Sequence, residues 1–119
     1  MKNVKKLSLR PYLGEVWVCA SIKSLHKAYR KHTQTPYPYQ DDPGGGRFIW
    51  LKGDCPADHL FLIWAATPHA LAHEVSHVLL HTFKEIGHDP RDGDGEPFCY
   101  MLSQLLLETK EVVDVRRGI

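Results

Sequence analysis

The sequence predicts a small α+β domain, a short and mostly antiparallel sheet with three helices. Three observations predict it. The chain has 119 residues, the length of a single domain spanning residues 1–119. Its apolar fraction of 43% is ordinary for a globular protein. Segments rich in β-branched and aromatic residues alternate with segments of helical periodicity, in the order strand, helix, strand, strand, helix, helix. That order suits helices laid on one face of a small sheet.

Residues 1–14 are polar and basic, with Pro11 and Gly14 marking a turn, and are expected to form a flexible N-terminus. Glu15 to Ala20, E-V-W-V-C-A, has the composition of a short strand. Ser21 is placed to cap a helix running to about Lys31. Ile22, Leu25 and Tyr29 recur on its inner side, and Lys23, Lys27, Arg30 and Lys31 form a basic face. Thr33 to Gly46 holds three prolines and three glycines and reads as a loop, either a connector or a flap over a cleft. Arg47 to Lys52 is a second strand. A turn from Gly53 to Asp58 leads into His59 to Ala66, a third strand that is almost wholly apolar, and the two read as a hairpin.

A long helix is predicted from Pro68 to about Ile86. Thr67 offers an N-cap, Pro68 suits the first helical position, and Gly87 offers a stop. At about 100° per residue, Leu71, Val75, Val78, Leu79, Phe83 and Ile86 share one arc, and His73 and His77 fall opposite. After a polar loop from Gly87 to Gly95, a last helix starts near Glu96-Pro97 and runs to about Val115. Its apolar stripe is Phe98, Met101, Leu102, Leu105, Leu106, Val112 and Val113.

Net charge is +1, but residues 1–40 hold eight Lys or Arg against one acid, Glu15. That third is either a solvated basic face or a surface for nucleic acid through Lys23, Lys27, Arg30 and Lys31. Three cysteines, Cys19, Cys55 and Cys99, with no C-x-x-C pair, argue against a disulfide framework. No signal-peptide pattern or run of about 20 apolar residues is present, so a cytoplasmic location is expected.

The chemistry concentrates in His73-Glu74-Val75-Ser76-His77, an H-E-x-x-H motif inside the long helix. Residues four apart project from one helix face, so both imidazoles can reach a single Zn²⁺, with Glu74 beside it as general base. A catalytic zinc usually has three protein ligands and a water. The extended metzincin pattern fails here, because Leu80 and Phe83 stand where it needs glycine and a third histidine. The remaining candidates are His81, His88, Asp89, Asp92, Asp94 and Glu96. His81 lies a turn too far along, the aspartates sit in a glycine-rich loop where Asp94 suits an N-cap, and Glu96 opens the last helix. From there it points back at the motif if the two helices pack as an antiparallel pair.

His73-Glu74-x-x-His77 followed by Glu96 is similar to the gluzincin arrangement. H-E-V-S-H-V-L-L-H together with G-E-P-F-C-Y-M-L-S-Q-L-L resembles the ImmA/IrrE family of small metallopeptidases, over roughly residues 59–107. The resemblance implies a zincin-like fold with a strand before the motif helix, and Zn²⁺ held by His73, His77 and Glu96. It also implies hydrolysis of peptide bonds by a metal-activated water, with Glu74 taking the proton. Members occur in bacteria, phages and mobile elements and often act on repressor-type regulators, so a protein or peptide substrate of that class is expected. Two positions depart from the pattern. Pro97 follows the ligand glutamate, and Tyr100 stands where thermolysin-like enzymes carry an aspartate; Tyr100 either orients a ligand, donates to an oxyanion or belongs to the core. The strand His59–Ala66 is expected at the sheet edge, where it would pair with substrate. The alternatives are a zinc-binding interaction module without catalysis, and a nucleic-acid-associated factor.

Overall fold

In the computed structural model the described residues are 3–9, 14–39, 44–55 and 58–116, without the side chains of 113–116. They form a mixed four-stranded sheet and three helices, an α+β arrangement. The strands are β1 (Val4–Ser8), β2 (Glu15–Cys19), β3 (Gly46–Leu51) and β4 (Leu60–Ala65), and the helices are α1 (Ile22–Thr33), α2 (Pro68–Glu85) and α3 (Glu96–Arg116). Sheet order is β1-β2-β4-β3. β1 pairs antiparallel with β2, β2 parallel with β4, and β3 antiparallel with β4.

Two expectations about the sheet need correction. Val4–Ser8 is a strand rather than part of a flexible tail; residues 1, 2 and 10–13 lie outside the described set. Its charged side chains find partners at hand. Lys6 sits over the Trp17 ring at 4.2 Å, and Lys5 Nζ donates to the Glu108 carbonyl at 2.8 Å and to the Glu111 carboxylate. β4 is not an edge strand, because it is hydrogen-bonded to β2 on one side and β3 on the other. The edges among the described strands are β1 and β3.

The helices also occupy both faces of the sheet instead of one. All six residues of β4 are buried, as expected for a strand that is apolar without alternation and therefore needs cover on two sides. Successive side chains of a strand point to opposite faces. Phe61, Ile63 and Ala65 join Val16 and Val18 beneath α2 and α3, packed with Leu71, Val75, Val78, Leu79 and Leu105. Leu60, Leu62 and Trp64 join Trp17, Cys19 and Ile49 beneath α1, packed with Leu25 and Ala28.

Each helix begins and ends where its sequence supplies the groups. Ser21 caps α1 by a reciprocal box: its hydroxyl accepts from Ser24 N–H at 3.0 Å, and Ser24 Oγ accepts from Ser21 N–H at 3.0 Å. Thr67 Oγ1 accepts from Ala70 N–H at 3.1 Å, and Pro68 opens α2. α2 ends at Gly87, whose φ is +72°. His88 N–H reaches the Phe83 carbonyl at 2.9 Å and Gly87 N–H reaches Lys84 at 3.1 Å, the paired bonds of a Schellman stop. Ile86, placed on the buried arc by periodicity, is 40% exposed because it sits in this stop.

α3 follows a short 3₁₀ turn, Asp92–Gly95. Asp94 in that turn takes φ 57° and ψ 26°, left-handed backbone instead of the extended geometry of an N-cap residue. α3 runs antiparallel to α2. Phe98 meets Phe83 at 5.5 Å near one end, and Leu106 and Lys110 share a groove with Pro68 and Leu71 near the other. The rest of the predicted apolar stripe packs into the same core, with Val113 outside the described side chains. Among the described residues no helix is long and apolar enough to cross a membrane.

Candidate metal centre

Two elements build the site. The buried side of α2 (Leu71, Val75, Val78, Leu79, Phe83) fixes the helix against the sheet, and that fixes the rotational setting of every other residue on it. His73 is then exposed and His77 half-buried. Their Nε2 atoms are 3.2 Å apart and their ring planes nearly perpendicular, at 82°. Two imidazole nitrogens on one tetrahedral zinc, each bonded at about 2.0–2.1 Å, stand about 3.3 Å apart. That separation matches a shared ion, and it is equally the length of a hydrogen bond between the two rings when one nitrogen carries the proton.

Glu74 projects between the helix and β3 and is only 7% exposed. One ligand atom from each of His73, Glu74 and His77 lies within 4.8 Å of the other two. Burial raises the Glu74 carboxyl above its ordinary pKa, and the nearby His73, His77 and Arg47 oppose the rise. The carboxylate occupies space that exists because residue 46 has no side chain. A Cβ built on Gly46 would lie 2.6 Å from Glu74 Oε2 and 3.1 Å from the Trp64 carbonyl. The first approach is closer than van der Waals contact permits, and the second would need the carbonyl to give by a few tenths of an ångström. The Phe48 ring backs the second histidine, with its centroid 5.4 Å from that of His77.

The other candidates fall in different places. His81 lies one turn beyond His77 in a hydrophobic slot, 5.1 Å from both Phe48 and Trp50, and burial lowers its pKa. His88 is 3.8 Å from Asp92 and packs on Phe83 at 5.1 Å. Asp89 is engaged by Arg91 at 2.8 Å, which holds its carboxyl down at about 2. Glu96 is exposed at the start of α3 and lies outside the His73–Glu74–His77 group. The antiparallel packing sets the start of α3 beside the C-terminal half of α2 through the Phe98–Phe83 contact. Tyr100 is 72% exposed, which removes it from the core.

Sequence reasoning passed over Gly46, Arg47 and Phe48, the part of β3 that faces or charges the site. The signal was present as the glycine run Gly44-Gly45-Gly46 directly before a strand, since a glycine at a strand end often marks close approach by another group. Comparison with protein families, curated proteins and solved structures finds no match for this chain.

Proposed function

We propose that this chain is a zinc-dependent peptide hydrolase. The observation that carries the reading is the 3.2 Å separation of His73 and His77 Nε2, with the Glu74 carboxylate in the same group. His73 and His77 would hold the ion, and Glu96 is the proposed third ligand on the strength of the H-E-x-x-H…E pattern. Bound Zn²⁺ supplies Lewis acidity and brings the pKa of a coordinated water to about 7. The Glu74 carboxylate takes a proton from the attacking water and passes it to the leaving amine. Its partial burial favours this role, because a poorly solvated carboxylate is a stronger base. The exposed edge of β3, which carries Gly46 beside Glu74, offers backbone groups to an extended peptide. The motif resemblance supports regulatory proteins of bacteria, phages or mobile elements as the substrate class. Three free cysteines suit the reducing cytoplasm.

Zinc titration and peptide turnover test the reading together. His73→Ala and His77→Ala should each weaken zinc binding by more than about a hundredfold, since losing a group that merely orients a ligand already costs up to about that much. Glu96→Ala should weaken it sharply as well, while His81→Ala and His88→Ala should leave it near normal. Glu74→Gln should keep zinc and lose turnover of a peptide library followed by mass spectrometry. Retained turnover in Glu74→Gln would overturn the mechanism. Undiminished zinc affinity in Glu96→Ala would remove Glu96 from the ligand set.

A further inference from the structure

The outer side of α1 carries four cations and no acid. Lys23, Lys27, Arg30 and Lys31 are all exposed and fall within an arc of about 100° at helical spacing. None of them forms an ion pair with a described residue. α1 has no acidic residue along its length, so the helix itself offers nothing to offset the positive charge of this face. The opposite side of the helix is pinned to the sheet by Ser24, Leu25 and Ala28, which makes the cation row a fixed array.

Aromatic rings border that array. His26, about 40° around the helix from Arg30, stacks on Tyr37 with centroids 4.0 Å apart and planes 20° from parallel. Tyr37 in turn meets Tyr29 at 5.5 Å and Tyr39 at 5.2 Å. The last ring, Tyr39, remains 43% exposed, and the Arg47 guanidinium lies 5.3 Å from its centroid. Cations beside a partly exposed aromatic ring are the two components of sequence-tolerant single-strand binding: phosphates meet the charges and bases stack on the rings. An acidic polypeptide would use the cations alone. A duplex keeps its bases stacked inside and would have no use for Tyr39.

We propose that the outer face of α1, with the adjoining Tyr37–Tyr39 aromatic cluster, is a binding surface for single-stranded nucleic acid. The cation row of α1 lies on the opposite face of the sheet from the candidate metal centre; among the described residues Arg47, beside Tyr39, is the one group of the surface that also acts on Glu74.

Fluorescence anisotropy of the full chain with a labelled oligothymidylate tests it, with EDTA present so that the metal centre plays no part. Binding should weaken by about fiftyfold as NaCl rises from about 50 to about 200 mM, the log–log slope of about −2.8 expected for four neutralised phosphates. The combined variant Lys23→Ala, Lys27→Ala, Arg30→Ala, Lys31→Ala should lose most of the affinity and most of that slope. All four side chains are exposed and the Ser21 cap is untouched, so circular dichroism should stay unchanged. Tyr39→Ala should weaken single-strand binding about tenfold, the size of one stacked base, with the salt slope preserved. The proposal is overturned if the oligonucleotide does not bind at the lower salt, or if the fourfold variant binds as well as the parent. It is equally overturned if polyglutamate of equal charge competes as well as the oligonucleotide, or if a duplex binds more tightly and Tyr39→Ala has no effect.

Discussion

At Gly46 one added carbon would stand 2.6 Å from Glu74 Oε2. The placement of the carboxylate thus depends on an atom that the neighbouring strand lacks. Gly46→Ala should destabilise the fold by about 1–3 kcal/mol, the usual range for overpacking. The Trp64 carbonyl, 3.1 Å from the same point, contributes whatever occupies position 74, so a double-mutant cycle isolates the Glu74 share. In a Glu74→Ala background the penalty should shrink by about 0.5–3 kcal/mol. Urea denaturation of the four proteins measures it, and strictly additive penalties would mean that the carboxylate moves aside freely. A second residue-scale expectation concerns thiols. Burial pushes the Cys19 thiol up to about 12, and the thiolate is the reactive form. Cys55 and Cys99 are exposed. Iodoacetamide on the native protein near neutral pH should therefore label two of the three cysteines, and mass spectrometry should find Cys19 modified only after unfolding.

For individual elements, the local chemistry was legible wherever a signal is short-range. Ser21, Thr67, Pro68 and Gly87 mark helix limits in the sequence, and the structure uses each of them so. The His73–His77 spacing was legible for the same reason, since a helix fixes neighbours four apart without help from the rest of the chain. β1 escaped notice because V-K-K-L-S is strand-like only once Trp17, Glu108 and Glu111 are there to receive its lysines. Gly46 escaped because its meaning comes from a side chain 28 positions away. The helix stop yields a clean prediction. Gly87 has φ +72° and open space where a Cβ would go, so Gly87→Ala carries only the left-handed backbone penalty, about 1–2 kcal/mol. Thr67→Ala should remove about 1 kcal/mol at the other end of α2. Thermal melts of both variants check the pair, and a neutral Gly87→Ala would show that the turn relaxes to another form.

Across the whole molecule, the arrangement of layers was less legible than the elements. A continuous apolar run such as Leu60–Ala65 can be read as the middle of a sheet or as one side of a hairpin. The element order alone suggested helices on one face, and the strand's place just before the motif helix suggested an edge. The cover on both faces follows from burial of all six residues, and that burial depends on β2, whose pairing residues lie 45 positions upstream. β1 then closes the outer edge of β2 and ties it to α3 through Lys5. Removing residues 1–9 should do more than shorten the chain. It deletes the buried Leu9, exposes the β2 edge and releases the middle of α3. We expect a loss of at least about 2–5 kcal/mol, the scale of losing one buried leucine, with hydrogen exchange rising at both β2 and Glu108–Glu111. Protection kept in α3 would mean that its packing on α2 suffices.

The central position of β4 has a consequence in time. Synthesis proceeds from the N-terminus, yet the strand that sits between β2 and β3 is the last of the four to be made. Until residue 65 has emerged, the β1–β2 hairpin and the future β3 have no common partner, and the basic helix has only half a floor. The nascent chain must carry its first half unfinished until one six-residue insertion completes the sheet and closes the core beneath α1, while the other face waits for α2 and α3, which follow β4 in the chain.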